Sequence, residues 1–156
     1  MAYLIGEELD SLIREFKIKH ISDNNPEHVA IAISTAISEV RSRLTSKKDR
    51  SLQDGRMKYD TEAIFSAEGN NRHPLILELT KVVAIWWLIP RNNAGIDYEV
   101  IRDRYASAVE FLKDLASGEA NDPTLPVLED PVDEEGNPIS SAKPFRMGSR
   151  KKFNHE

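Results

Sequence analysis

The sequence contains no cysteine. That excludes a disulfide frame and a thiolate metal site, and it fits a reducing compartment without requiring one. Histidine is scarce: His20, His28, His73 and His155 are the four. No two of them stand four apart on one helix with a carboxylate, so zinc chemistry has no support. No glycine-rich phosphate loop and no G-x-S-x-G elbow is present. The acidic runs Glu7-Glu8 and Asp133-Glu134-Glu135 lie in stretches that read as solvated surface. No serine falls into a recognisable pattern with a histidine. Enzymatic activity, a metal and a cofactor are therefore not expected. The opening MAYLIGEELD has no basic stretch followed by a long apolar one, so a signal peptide is not expected. Positive charge is in deficit, with 21 Lys and Arg against 26 Asp and Glu and a net charge of −5. That argues against nucleic-acid binding by the surface as a whole.

Apolar content of 40% over 156 residues allows one domain with a core. The most apolar window is 73–90, HPLILELTKVVAIWWLIP. Leu75, Leu79, Val82, Trp86 and Ile89 recur at helical spacing. Pro74 suits a first helical turn, and Pro90 stops the helix. A buried strand over 82–89 is the competing reading. The helix spans roughly 24 Å, too short and too interrupted to cross a membrane. Being apolar nearly all round, it must be covered on most sides.

Three further segments read as helices. Residues 7–16 carry Leu9, Leu12, Ile13 and Phe16 on one face, and 17–25 reads as a connector. Asn25-Pro26-Glu27 is a helix start, and the helix it opens runs to about residue 46 with a stripe of Val29, Ile33, Ile37, Val40 and Leu44. Small residues beside that stripe permit close packing. Asp97 caps a helix over 98–117 that Gly118 closes; Ile101, Tyr105, Ala108, Leu112 and Leu115 form its stripe and charged residues its other face. The expected fold is all-α: a small bundle of three main helices plus a short N-terminal one. The expected core includes Val29, Ile33, Ile37, Val40, Leu79, Val82, Trp86, Ile101, Tyr105 and Leu112.

Residues 47–72 show no sustained period and read as a long internal loop, with Asp54-Gly55 as the possible tip of a small hairpin. From Arg41 to Lys58 there are seven basic residues and two acids. Lys47, Lys48, Arg50, Arg56 and Lys58 make either a solvated face or a contact for DNA phosphates or an acidic partner. Tyr59, Ile64 and Phe65 point to docking of the second half of the loop. From residue 119 the composition changes, and five of the eight prolines lie between there and residue 156. An acidic stretch (Glu129, Asp130, Asp133, Glu134, Glu135) precedes a basic one. The helical body is thus read as 1–118 and residues 119–156 as an extended tail without its own core. The tail residues Lys143, Phe145, Arg146, Arg150, Lys151, Lys152 and Phe153 have the composition of an arm that grips a partner. A merely disordered terminus is the other reading. A small DNA-binding regulator is the rival function for such an α domain, but it wants a basic recognition helix, and here the basic run falls in a loop.

Several motifs resemble those of a protein family of Mu-like phages and prophages. They are the run Tyr59-Asp60-Thr61-Glu62-Ala63-Ile64-Phe65-Ser66-Ala67, then Arg72-His73-Pro74-Leu75, Ala84-Ile85-Trp86-Trp87-Leu88, and the stretch 105–114. The closing Gly148-Ser149-Arg150-Lys151-Lys152-Phe153-Asn154 is similar to that group's G-S-x-x-[KR]-x-N ending. The proline-rich acidic segment 122–138 has no counterpart in the pattern. The resemblance implies a head–tail adaptor (connector). Such a protein forms a homo-oligomeric ring, a dodecamer by portal symmetry, beneath the portal protein. It continues the channel for genomic DNA without reading sequence, and it docks tail or neck proteins. Its place would be the virion neck, with the host cytoplasm as the site of assembly. On this view the tail residues contact the portal or a neighbouring subunit, and the basic loop faces the channel or the next subunit.

Overall fold

The computed structural model describes residues 2–45, 58–89 and 97–128, all of which belong to one compact unit. It is all-α. After an N-terminal 3-10 helix, Gly6–Ser11, come α1 (Glu15–Ile21), α2 (Pro26–Leu44), α3 (Thr61–Ser66), α4 (Pro74–Leu88) and α5 (Tyr98–Ser117). A second 3-10 turn, Gly69–Asn71, leads into α4. Among the described residues there is no strand, only an isolated antiparallel bridge between Tyr59 and Val127. The strand reading of 82–89 is therefore set aside.

The helix ends follow their local chemistry. Asn25 accepts from the Glu27 amide at 2.9 Å and opens α2 with Pro26 in its first turn. Asp60 accepts from Ala63 at 3.0 Å and opens α3. Asp97 accepts from the Glu99 and Val100 amides at 3.1 and 3.4 Å and opens α5. Gly118 ends α5 at φ 82°, where its amide bonds the Asp114 carbonyl. Any residue with a Cβ would be strained there. Between α1 and α2 the chain reverses through Asp23 and Asn24, both with positive φ.

Helices α2 and α4 pack along one another, and α5 lies against both. Small residues let α2 approach closely: Ala32 and Ala36 are buried beside Ile33, Val40 and Leu44. The face of α4 that goes deepest is Ile76, Thr80, Val83, Ala84 and Leu88. The expected stripe sits beside it: Leu79, Val82 and Trp86 are half-buried, and Leu75 is exposed. A helix apolar all round has no unique face in its own sequence, so its neighbours choose one. Thr80 tolerates the core because its hydroxyl donates to the Ile76 carbonyl at 2.7 Å. Of the other expected core residues, Ile33, Val40, Ile101 and Leu112 are buried, while Val29, Ile37 and Tyr105 are half-buried.

The N-terminal region departs from expectation. The single helix over 7–16 is two pieces, a 3-10 turn and then α1, which occupies most of the expected connector. Asp10 breaks the run by accepting from the Glu15 amide at 2.7 Å. Leu9 and Ile13 are buried, whereas Phe16 is exposed. The second half of the expected loop 47–72 holds α3 and the second 3-10 turn, with Tyr59 and Ile64 buried. Phe65 meets Tyr3 edge-on at 4.8 Å. The expected hairpin tip at Asp54-Gly55, residues 90–96 and the acidic stretch from Glu129 lie outside the described residues.

The segment 119–128, read from the sequence as the first stretch of the tail, packs on the helical body. Leu125 is buried. The Asp60 amide donates to the Pro126 carbonyl at 2.8 Å, and the Leu128 amide to the Lys58 carbonyl at 2.7 Å.

Candidate functional site

The residues expected to grip a partner, Lys143, Phe145, Arg146, Arg150, Lys151, Lys152 and Phe153, lie outside the described residues. So do Lys47, Lys48, Arg50 and Arg56 of the basic loop. Lys58 is described: its side chain is exposed and its carbonyl closes the pairing with Leu128. The described unit contributes three polar clasps and a set of apolar surfaces.

The first clasp joins α2, α4 and α5 at Glu39. Its carboxylate accepts from Trp87 Nε1 at 2.9 Å, from the Tyr105 hydroxyl at 2.8 Å, and from Arg43 at 3.0 and 2.6 Å. Burial pushes this carboxyl up, but the donors from Arg43, Trp87 and Tyr105 outweigh it, so it sits below the usual carboxylate range. Burial and then the bond to Glu39 raise the Tyr105 hydroxyl. The two tryptophans are thereby divided. Trp87 is tied by its nitrogen, and Trp86 stacks on Tyr105 at 4.8 Å and 14°. Tyr98 covers it at 5.6 Å.

The second clasp centres on Arg72. Its guanidinium donates to Glu8 at 2.8 and 2.5 Å, to the Tyr3 carbonyl at 2.7 Å and to the Gly69 carbonyl at 2.8 Å. This ties the N-terminus to the entrance of α4. The bond from Arg72 holds the Glu8 carboxyl below its ordinary value. Burial pushes the Tyr3 hydroxyl up to about 12.

The third clasp is His73 with Asp122 and Thr124. His73 Nε2 lies 2.7 Å from the Thr124 hydroxyl and 3.3 Å from Asp122. The Thr124 hydroxyl donates to Asp122 at 2.6 Å. Both partners meet the same ring nitrogen, so the ring does not relay a proton from one to the other. The arrangement fastens 119–128 to the start of α4. Among the described residues no group of His, Asp or Glu is placed to hold a metal ion. Nor is any helix among them long and apolar enough to cross a membrane.

Two apolar surfaces are built from different elements. The first is a groove of about 600 Å³ between the N-terminal 3-10 helix, α1 and α2. Leu4, Ile18 and Ile33 lie at its base, half-buried Val29 and Ile37 along its wall, and exposed Ile5 on its edge. The acids Glu7, Asp10 and Glu15 border it, with one cation, Lys19. The second is an open depression of about 630 Å³ on α4 and α5, lined by Leu79, Val82, Val100 and Phe111 together with Asp103 and Arg104. These are the half-buried faces left over when α4 settles on α2. Between α1 and the start of α5 runs a smaller groove of about 450 Å³. It carries Arg14, Lys17 and Arg104 against one acid, Asp97.

Sequence reasoning missed the N-terminal groove because it placed Val29 and Ile37 in the core. It also missed Glu39, to which it gave no role, and Arg72, read only as part of a motif. Comparison of the chain with protein-family models, curated proteins and solved structures finds no match in any of the three.

Proposed function

We propose that this chain is a structural component of a phage neck, a head–tail adaptor that closes into a homo-oligomeric ring on the portal. The observation that carries the reading is the pair of apolar surfaces made by different elements, one on α1 and α2 and the other on α4 and α5. A ring is built from heterologous contacts, in which one patch of a copy meets a different patch of the next. A protein of this kind needs unlike sticky surfaces, each able to take a different surface or segment of a neighbour, and single scattered apolar side chains would not provide them. The motif resemblance supplies the particular ring. In this reading the portal is the partner above and the tail or neck proteins are the partners below. Genomic DNA passes through without being read, aided by the basic loop that contains Lys47, Lys48, Arg50, Arg56 and Lys58. The protein then acts in the virion neck after assembly in the host cytoplasm.

The test is co-sedimentation with portal particles followed by class averaging of the neck. A ring of density under the portal is the expected outcome. Full-length protein that stays in the supernatant, or binds without added ring density, rejects the proposal.

A further inference from the structure

The acid-bordered groove has a matching segment in the same chain. Residues 143–153, KPFRMGSRKKF, carry five cations and no acid. They also carry three large apolar side chains, Phe145, Met147 and Phe153. The groove offers a complementary surface: an apolar base of Leu4, Ile18 and Ile33 beneath three acids and one cation. The other two surfaces do not match. The groove between α1 and α5 holds three cations and one acid, and would repel the segment. The depression on α4 and α5 is balanced, with Asp103 beside Arg104. Charge therefore selects one surface of the three, and aromatic anchors in an apolar groove supply the contact energy.

We infer that the groove between the N-terminal 3-10 helix, α1 and α2 receives residues 143–153 of a second copy of the chain. The inference deepens the ring reading and rests on it for the choice of a neighbouring copy. Reach permits it. Phe145 stands 17 residues beyond Leu128, the last described position of the unit. An extended chain of that length covers about 55 Å. A body of roughly 100 residues has a radius of gyration of only about 13 Å. That reach exceeds the width of one body, so the segment is long enough to arrive at a second copy. Phe145 and Phe153 seat on the apolar base, and the cations between them face Glu7, Asp10 and Glu15.

The chain's lack of cysteine makes the test clean, because each engineered thiol is the only one present. Ser34→Cys places a thiol at the groove, on the exposed side of α2. Ser149→Cys places one in the basic segment, and Ser107→Cys places a control on α5. Full-length single-cysteine proteins are mixed in pairs and gently oxidised. The inference expects the S34C–S149C heterodimer to form at least about tenfold faster than the S107C–S149C one. It also expects Glu7→Lys with Glu15→Lys to abolish the difference. Equal rates for the two pairs overturn it. So does a disulfide that closes only within one chain of the S34C/S149C double variant. The ring reading is scored separately: ring density on the portal without the selective disulfide sinks the groove assignment alone. The selective disulfide without portal binding leaves the assignment standing and sinks the adaptor.

Discussion

Glu39 is the residue on which three helices agree. Its four donors come from Arg43 on its own helix, Trp87 on α4 and Tyr105 on α5. Removing the carboxylate leaves those donors in a partly dry site, and an unmade buried hydrogen bond costs more than a made one contributes. Glu39→Ala should destabilise the protein by about 2–3 kcal/mol in denaturant unfolding. On a Trp87→Phe background the same change should cost less, because one orphaned donor is already gone. Strict additivity would show that the Trp87 contact carries no energy. Glu8 makes a prediction in pH. Its folded carboxyl is held below the ordinary value of 4.5, first by the bond from Arg72. The stabilisation is therefore fully present above that value and is lost as pH falls through the lower folded value. Glu8→Gln should cost about 1.5 kcal/mol at neutral pH. The gap to wild type should be full above the ordinary carboxyl value of 4.5 and close as acidification carries the folded carboxyl through its lower value. A gap that stays constant over that range would exclude the ion pair as its source.

At the scale of elements, the informative piece is 119–128, which has no regular structure yet is fastened at several points. Leu125 is buried, the Asp122 amide meets the Tyr59 hydroxyl at 3.4 Å, and two backbone bonds pair it with 58–60. A chain cut after Gly118 should lose the Leu125 packing and uncover Tyr59, at about 3–5 kcal/mol. A chain cut after Leu128 keeps every buried side chain named above and should unfold within about 0.5 kcal/mol of the full protein. Thermal and urea unfolding of the two truncations check this. Equal stability of both would mean that the clasp at His73 contributes nothing. Helix α4 teaches a related lesson. Its sequence is apolar nearly all round, so α2 and α5 together leave Leu79, Val82 and Trp87 at or near the surface. On the ring proposal, that leftover is the surface α4 offers to a neighbouring copy.

For the whole molecule, the division of labour is between a packed body and long basic and acidic segments joined to it. The body holds fully buried anchors such as Leu9, Leu88, Leu112 and Leu115, each contributing about 1.5–3 kcal/mol of transfer free energy. It also presents unlike faces, an acid-bordered groove on one set of helices and a balanced apolar depression on another. Copies joined through unlike faces form a closed ring if the rotation closes, and an open filament if it does not. On the adaptor proposal, binding to the portal should therefore fix the copy number. Sedimentation of the free chain should show a smaller species than the portal-bound form. A large closed assembly without portal would show that the chain sets its own symmetry.

By itself the sequence determined the three long helices and most of their ends, but not the break before α1 or the short helix α3. Asn25-Pro26, Asp97 and Gly118 are local chemistry, and a cap or a left-handed residue acts within a turn of where it stands. The all-α class and the stripes of α2 and α5 were legible for the same reason: 3.6-residue periodicity is written in the neighbouring residues. Tertiary structure alone decided which side of α4 is deepest, because a helix apolar nearly all round offers more than one stripe at helical spacing. It decided that Arg72 meets Glu8 across 64 positions and that Glu39 gathers Trp87 and Tyr105. Those pairings need two distant segments to be brought together, and no local pattern records them. It also decided that Val29 and Ile37, good core residues by spacing, form the wall of an open groove: whether an apolar stripe is covered depends on how many neighbours arrive.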